Sequence, residues 1–126
     1  MLAKALRVFF LVAVVAALPA LALPALGAER FVSVIDDLPL MEGLAEVGEG
    51  VEFTTQQGRI VEAATIAAAG ISRRNILNFY AETLPQLGWT VTGEGVFARE
   101  GERLELLFGR SESSLTVRFS LAPADK

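Results

Sequence analysis

Near the C-terminus the chain alternates strictly: Leu115, Val117, Phe119 and Leu121 are apolar, and Thr116, Arg118 and Ser120 between them are polar. A period of two with one apolar parity predicts a strand with one face buried and the other solvated. The same period runs through residues 89–92, 96–99 and 103–108, with Gly93-Glu94-Gly95, Glu100-Gly101-Glu102 and the polar tract 110–114 as the intervening turns. These four segments read as an antiparallel meander. Upstream, residues 51–55 and 59–68 are β-type runs on either side of Gln56-Gln57-Gly58, a spacing that predicts a hairpin. In the second run Val61, Ala63, Thr65 and Ala67 share one parity, and Ile60, Glu62, Ala64, Ile66 and Ala68 share the other. The small alanines predict a neighbour packed close above them.

Between hairpin and meander the period lengthens. Over residues 72–87, Ile76, Leu77, Tyr80, Leu84 and Leu87 fall on one stripe at 100° per residue, with Asn78, Glu82 and Gln86 opposite. Ser72 follows Gly70 as an N-cap, Gly88 sits at the position of a left-handed C-terminal residue, and Pro85 loosens the last turn. The resulting order is ββαββββ. It predicts an α+β fold with one amphipathic helix packed on an antiparallel sheet.

The remaining segments have no such period. Pro39, Gly43, Gly48 and Gly50 interrupt residues 29–50, which read as an extended leader with at most a short helical turn near Leu40 to Ala45; Phe31 and either Val34 or Ile35 are its packing candidates. Residues 1–28 place Lys4 and Arg7 before an uncharged run that ends in small residues, the build of an export signal, with cleavage expected near Ala28. The alternative is an uncleaved inner-membrane anchor, since about 20 apolar residues suffice to cross a bilayer. Pro19 and Pro24 favour the signal. A lipid anchor on cysteine is ruled out, because the chain has no Cys. The predicted organisation is a signal at 1–28, a leader at 29–50 and one small domain at 51–126, with no membrane span after cleavage.

Composition removes several function classes. The formal net charge is −4, with 15 acidic and 11 basic residues in 126, and loss of Lys4 and Arg7 leaves the exported chain more acidic still. Phosphate neutralisation needs clustered cations, and Arg73-Arg74 is the one adjacent pair, so nucleic acid is not an expected partner. There is no His and no Cys, and the two lysines are Lys4 and Lys126. A Ser-His-Asp triad cannot be assembled, and no cofactor or catalytic motif is present. Asp36-Asp37 are adjacent, so their side chains diverge, whereas glycosidase carboxylates face each other across about 5 to 9.5 Å. A metal site would need all-oxygen ligands, and no calcium-loop pattern occurs. Catalytic, cofactor and metal residues are therefore not assigned, and the chain reads as a non-enzyme.

Four segments together, DLPLMEGL (37–44), GRIVEA (58–63), FYAETLPQLGW (79–89) and REGERLEL (99–106), resemble a group of short exported bacterial proteins. The resemblance covers nearly the whole exported part. It implies an envelope location and a compact α+β fold, and brings no activity, cofactor or catalytic residue with it.

What remains is binding. Leu38, Leu40, Met41 and Leu44 put apolar side chains in a leader with little structure of its own, either to cover the sheet or to dock on a partner. Arg73 and Arg74 sit in the first helical turn, where the helix dipole disfavours cations; they read as a solvated face, the alternative being that a carboxylate or an anionic partner holds them. Phe79, Tyr80 and Trp89 are expected to close the core. The function expected is a non-enzymatic accessory or protein-interaction module of the periplasm or envelope with a protein partner. The alternative is a carrier for a small apolar ligand or lipid. A filled core with an exposed apolar patch favours the first, and a continuous apolar cavity on the order of several hundred Å3 the second.

Overall fold

A computed structural model of the chain describes residues 30–124, so the segment read as an export signal lies outside the described residues. Strands β1 (Leu44–Thr55) and β2 (Gly58–Ala67) form a hairpin, followed by helix α1 (Arg73–Thr83) and a single 3-10 turn (Leu84–Leu87). Strands β3 (Thr90–Gly93), β4 (Val96–Arg99), β5 (Glu102–Ser111) and β6 (Ser114–Pro123) complete the chain. All six strands pair antiparallel in one sheet ordered β1-β2-β6-β5-β4-β3. The class is α+β. The last strand, β6, lies between β2 and β5 and so joins hairpin to meander, leaving β1 and β3 as edges. No helix among the described residues is long and apolar enough to cross a membrane.

The helix starts where its cap dictates. Ser72 Oγ accepts from the Asn75 amide at 3.0 Å while Asn75 Oδ1 accepts from the Ser72 amide at 2.9 Å, a reciprocal pair that satisfies two otherwise orphan donors. It ends earlier than expected. Pro85 cannot donate to Ala81, so the chain tightens into the 3-10 turn at Leu84, and Gly88 with φ of +95° reverses it. Ile76, Leu77, Tyr80 and Leu84 are buried as the stripe predicts. Leu87 is not: it is 40% exposed, the last residue of the 3-10 turn before Gly88 reverses the chain.

Register settles the parity of β2. Val61, Ala63, Thr65 and Ala67 face the helix and are buried, and Ala63 stands opposite Phe119 across the β2–β6 ladder. The ring of Tyr80 meets that of Phe119 edge-on at 5.3 Å, so helix and sheet are in direct contact. Thr65, the buried polar residue of this face, donates its hydroxyl to the Val117 carbonyl at 2.9 Å. Val117, Phe119 and Leu121 are buried, as their alternation predicts.

Three boundaries differ from the sequence reading. Strand β1 begins at Leu44, inside the expected leader, because Gly48 and Gly50 (φ +77° and +78°) form a bulge that shifts the register between Val47 and Val51 without ending the strand. The helical turn expected near Leu40 to Ala45 is a β-turn closed by the Leu44 amide on the Met41 carbonyl at 3.0 Å. The polar tract 110–114 is mostly strand: Arg110 pairs with Leu115 and Ser111 with Ser114, and only Glu112 and Ser113 turn the chain. The leader itself is folded. Val32, Ile35, Leu38 and Leu40 are buried in the same core as α1, whereas Phe31 is exposed.

Candidate functional site

The inner face of the sheet is covered over its centre. Helix α1 and the leader lie over it, and the core they close contains Val32, Leu38, Tyr80, Leu84, Trp89 and Phe119, each with almost no exposed surface. The opposite face carries no second layer among the described residues. Cross-strand partners point the same way, so the registers Val47↔Ala64, Val51↔Glu62 and Phe53↔Ile60 put Val47, Val51 and Phe53 on this outer face with Ile60, Glu62, Ala64 and Ile66. The row continues through Thr116, Arg118 and Ser120 of β6 to Glu105, Leu107 and Gly109 of β5.

This face is apolar at its β1–β2 side. Val47, Val51 and Phe53 are 54%, 55% and 51% exposed, large values for such side chains in one neighbourhood. Its charges are paired with each other: Arg118 Nε lies 3.7 Å from Glu62 and Arg103 3.5 Å from Glu105. A shallow hollow of about 350 Å3 opens beside Val47, Ala64, Ile66, Leu107 and Gly109. It exists because Ala64 and Gly109 place little or no side chain there while Ile66 and Leu107 rise around them.

The leader residues singled out in the sequence lie elsewhere. Leu38 and Leu44 are buried in the core, Leu40 nearly so, and Met41 packs half-buried against it. Tyr80 fixes their backbone, donating its hydroxyl to the Pro39 carbonyl at 2.7 Å and accepting from the Met41 amide at 3.1 Å. Burial raises the phenol pKa well above its ordinary value, and the Met41 N–H opposes this only in part. These side chains form the lid of the core; docking through them would require the lid to lift.

The two arginines also part company. Arg73 lies over the Phe108 ring at 4.9 Å and 3.7 Å from Glu94, so a carboxylate of the chain itself answers the unfavourable helix-dipole position. Arg74 is exposed beside Leu77 and Val91. Arg73 borders an open groove of about 620 Å3 at the end of the helix–sheet layer, with Phe108, Leu115 and Ile71 below and Arg110 on its rim. The groove is open to solvent, and its floor meets the filled core at Ala67, Ile71, Phe108 and Leu115. Asp37 is held by Arg99 at 2.8 Å, and Arg99 stacks over Trp89 at 4.2 Å, which makes this carboxylate part of a structural tie. Among the described residues no group of three or more His, Cys, Asp or Glu is placed to hold a metal.

No family model, curated protein or solved structure matches the chain.

The outer-face residues Val47, Val51, Phe53, Ile60 and Ile66 were not candidates in the sequence. Their signal was nonetheless present in β2, whose outward row Ile60, Glu62, Ala64 and Ile66 is apolar except for Glu62. A strand of that kind is built to be covered on both faces, and one of the two is open.

Proposed function

We propose that this protein is a non-enzymatic interaction module of the bacterial envelope, and that its contact surface is the outer face of the sheet around Val47, Val51, Phe53, Ile60 and Ile66. The observation that carries the reading is the asymmetry of the sheet: a filled core on one face, and on the other an exposed apolar row with no covering layer. A continuous apolar cavity between helix and sheet would favour a carrier; the module reading is supported by the packing of Tyr80 on Phe119 at 5.3 Å and by the openness to solvent of the groove beside Arg73. The export-type segment 1–28 and the resemblance to short exported bacterial proteins support the location.

Photocrosslinking in intact cells tests the surface. A photoreactive side chain at position 53 is expected to give a crosslinked adduct, while the same group at position 82, exposed on the far side of α1, is expected to give none. Adducts from position 82 or from leader position 41, with none from 53, would move the contact surface elsewhere. For the location, a fusion of residues 1–28 to a reporter active only outside the cytoplasm is expected to be active.

A further inference from the structure

We infer that the occupant of the outer sheet face is a second copy of this chain, packed face to face about a two-fold axis that runs across the strands. This rests on the proposed use of that face for contact and names the partner.

Self-complementarity is the first argument. An isologous interface needs every protrusion and its matching recess on the same surface, because each residue i that meets j is mirrored by j meeting i. The outer face has both. Phe53 and Ile60, paired across the first hairpin, stand together at one end of β1–β2. The hollow beside Ile66, Leu107 and Gly109 lies at the other end, six residues farther along β2, or about 20 Å. Rotation about an axis between them sets Ile60 of one copy over Ile66 of the other and Phe53 over Val47, the β1–β2 side of the hollow, twice over.

Charge is the second. Two molecules that each carry net negative charge, −4 over the full chain and more without Lys4 and Arg7, repel at long range, so a shared contact must be locally neutral. Here each Glu has an Arg beside it, Glu62 with Arg118 and Glu105 with Arg103, and the face presents no excess of either sign to its copy. The neighbouring β1 edge is the opposite case. It carries Glu46, Glu49 and Glu52 and is broken by the Gly48–Gly50 bulge, so strand-to-strand pairing of two copies would oppose like charges on an interrupted ladder. The contact uses the face and leaves the edge free.

Size is the third. Strands β1, β2, β5 and β6 are ten to twelve residues long. At roughly 4.8 Å spacing and 3.3 Å rise they present about 600 Å2 per copy, hence about 1,200 Å2 for two. Specific interfaces need about 1,000 Å2 or more in total. The product is a β-sandwich with a helix on each outside, which covers the second apolar parity of β2 as its sequence requires.

Sedimentation equilibrium of the protein recovered from the envelope tests this. The expected result is a dimer at tens of micromolar that Phe53→Lys weakens at least tenfold, while Val91→Lys, an equally exposed apolar site away from the outer face, leaves association unchanged. Val51→Lys serves as a second disruptive variant if Phe53→Lys fails to give the parent's circular dichroism. A wild-type protein that stays monomeric at about 200 μM overturns the second copy. So does a dimer that survives both lysine variants. The crosslinking experiment separates this from failure of the broader reading: adducts from position 53 of twice the chain mass support self-association, adducts of another mass keep the face and refute the copy, and no adduct from position 53 refutes both.

Discussion

The hydroxyl of Tyr80 donates to the carbonyl of Pro39 across 41 positions of sequence, at 2.7 Å, and accepts from the Met41 amide on the same segment. One side chain on the helix thus satisfies two backbone groups that the leader buries when it closes the core. Removing the oxygen alone leaves both without partners, and an unsatisfied buried group costs about 1–3 kcal/mol. Tyr80→Phe is therefore expected to lower the melting temperature by several degrees, since about 1 kcal/mol moves a domain of this size by 4–8 °C. Circular dichroism melts of the two proteins check this. An unchanged midpoint would mean that water replaces the hydroxyl.

The same phenol makes the protein sensitive to high pH. Its folded-state pKa is raised, by desolvation above all, while in the unfolded chain it titrates near 10. Above about pH 10 the unfolded chain loses a proton that the folded chain keeps, so unfolding is favoured by up to about 1.4 kcal/mol per pH unit; below it, this group contributes no pH dependence. Tyr80 is the single tyrosine. Tyrosinate absorbance on raising pH is thus expected to appear together with unfolding. Ionisation well before loss of structure would show the hydroxyl to be accessible.

For the leader, burial of Leu40 and partial burial of Met41 predict that replacing both by Ser lowers the melting temperature by several degrees. The change deletes apolar area and introduces hydroxyls beside the core. Surface changes usually stay within about ±0.5 kcal/mol, so a shift below about 1 °C, with loss of partner capture, would return these residues to a docking role.

How much of this was legible follows from where each signal is local. The strip Ile76, Leu77, Tyr80 and Leu84 and the alternation of 117–121 are set by helix and strand periods, and both predict the buried side chains. Leu87 escaped because the stripe assumes a helix that continues to residue 87, whereas α1 gives way to a 3-10 turn at Leu84 and the chain reverses at Gly88. The leader escaped for a different reason: its burial is organised by a hydroxyl 41 residues away, which leaves no period in residues 30–43. For the outer face the ambiguity of β2 was itself the clue. Ile60 and Ile66 on one parity and Val61, Ala63 and Ala67 on the other describe a strand meant to be covered twice, yet a hairpin read in isolation asks only which face is inside.

Leu84 and Phe119 test the helix–sheet contact, each being fully buried, one on either side of it. Truncation to Ala removes apolar area and leaves a cavity, for which about 2–5 kcal/mol is expected at Leu84 and about 3–5 kcal/mol at Phe119. Urea unfolding of each variant measures this. A loss below about 0.5 kcal/mol at either site would place the core elsewhere.

The β4–β5 turn offers a change in the opposite direction. Arg99 pairs with Glu102, so Glu100 and Gly101 form a two-residue loop, and both have positive φ, +48° and +83°. Positive φ at both central positions is the type I′ geometry, which suits the twist of a hairpin and favours Asn-Gly. Gly101 has no Cβ to object, whereas Glu100 holds a left-handed conformation that costs an ordinary L residue about 1–2 kcal/mol. Asn tolerates that region better, because its short amide bonds to the local backbone. Glu100 is exposed, so its replacement disturbs no packing. Glu100→Asn is therefore expected to stabilise the fold by about 0.5–1 kcal/mol through the turn alone. A melting temperature higher by a few degrees, with the outer-face association unchanged, is the expected outcome. A lower one would mean that the Glu100 side chain supports the turn through a contact stronger than the strain it carries.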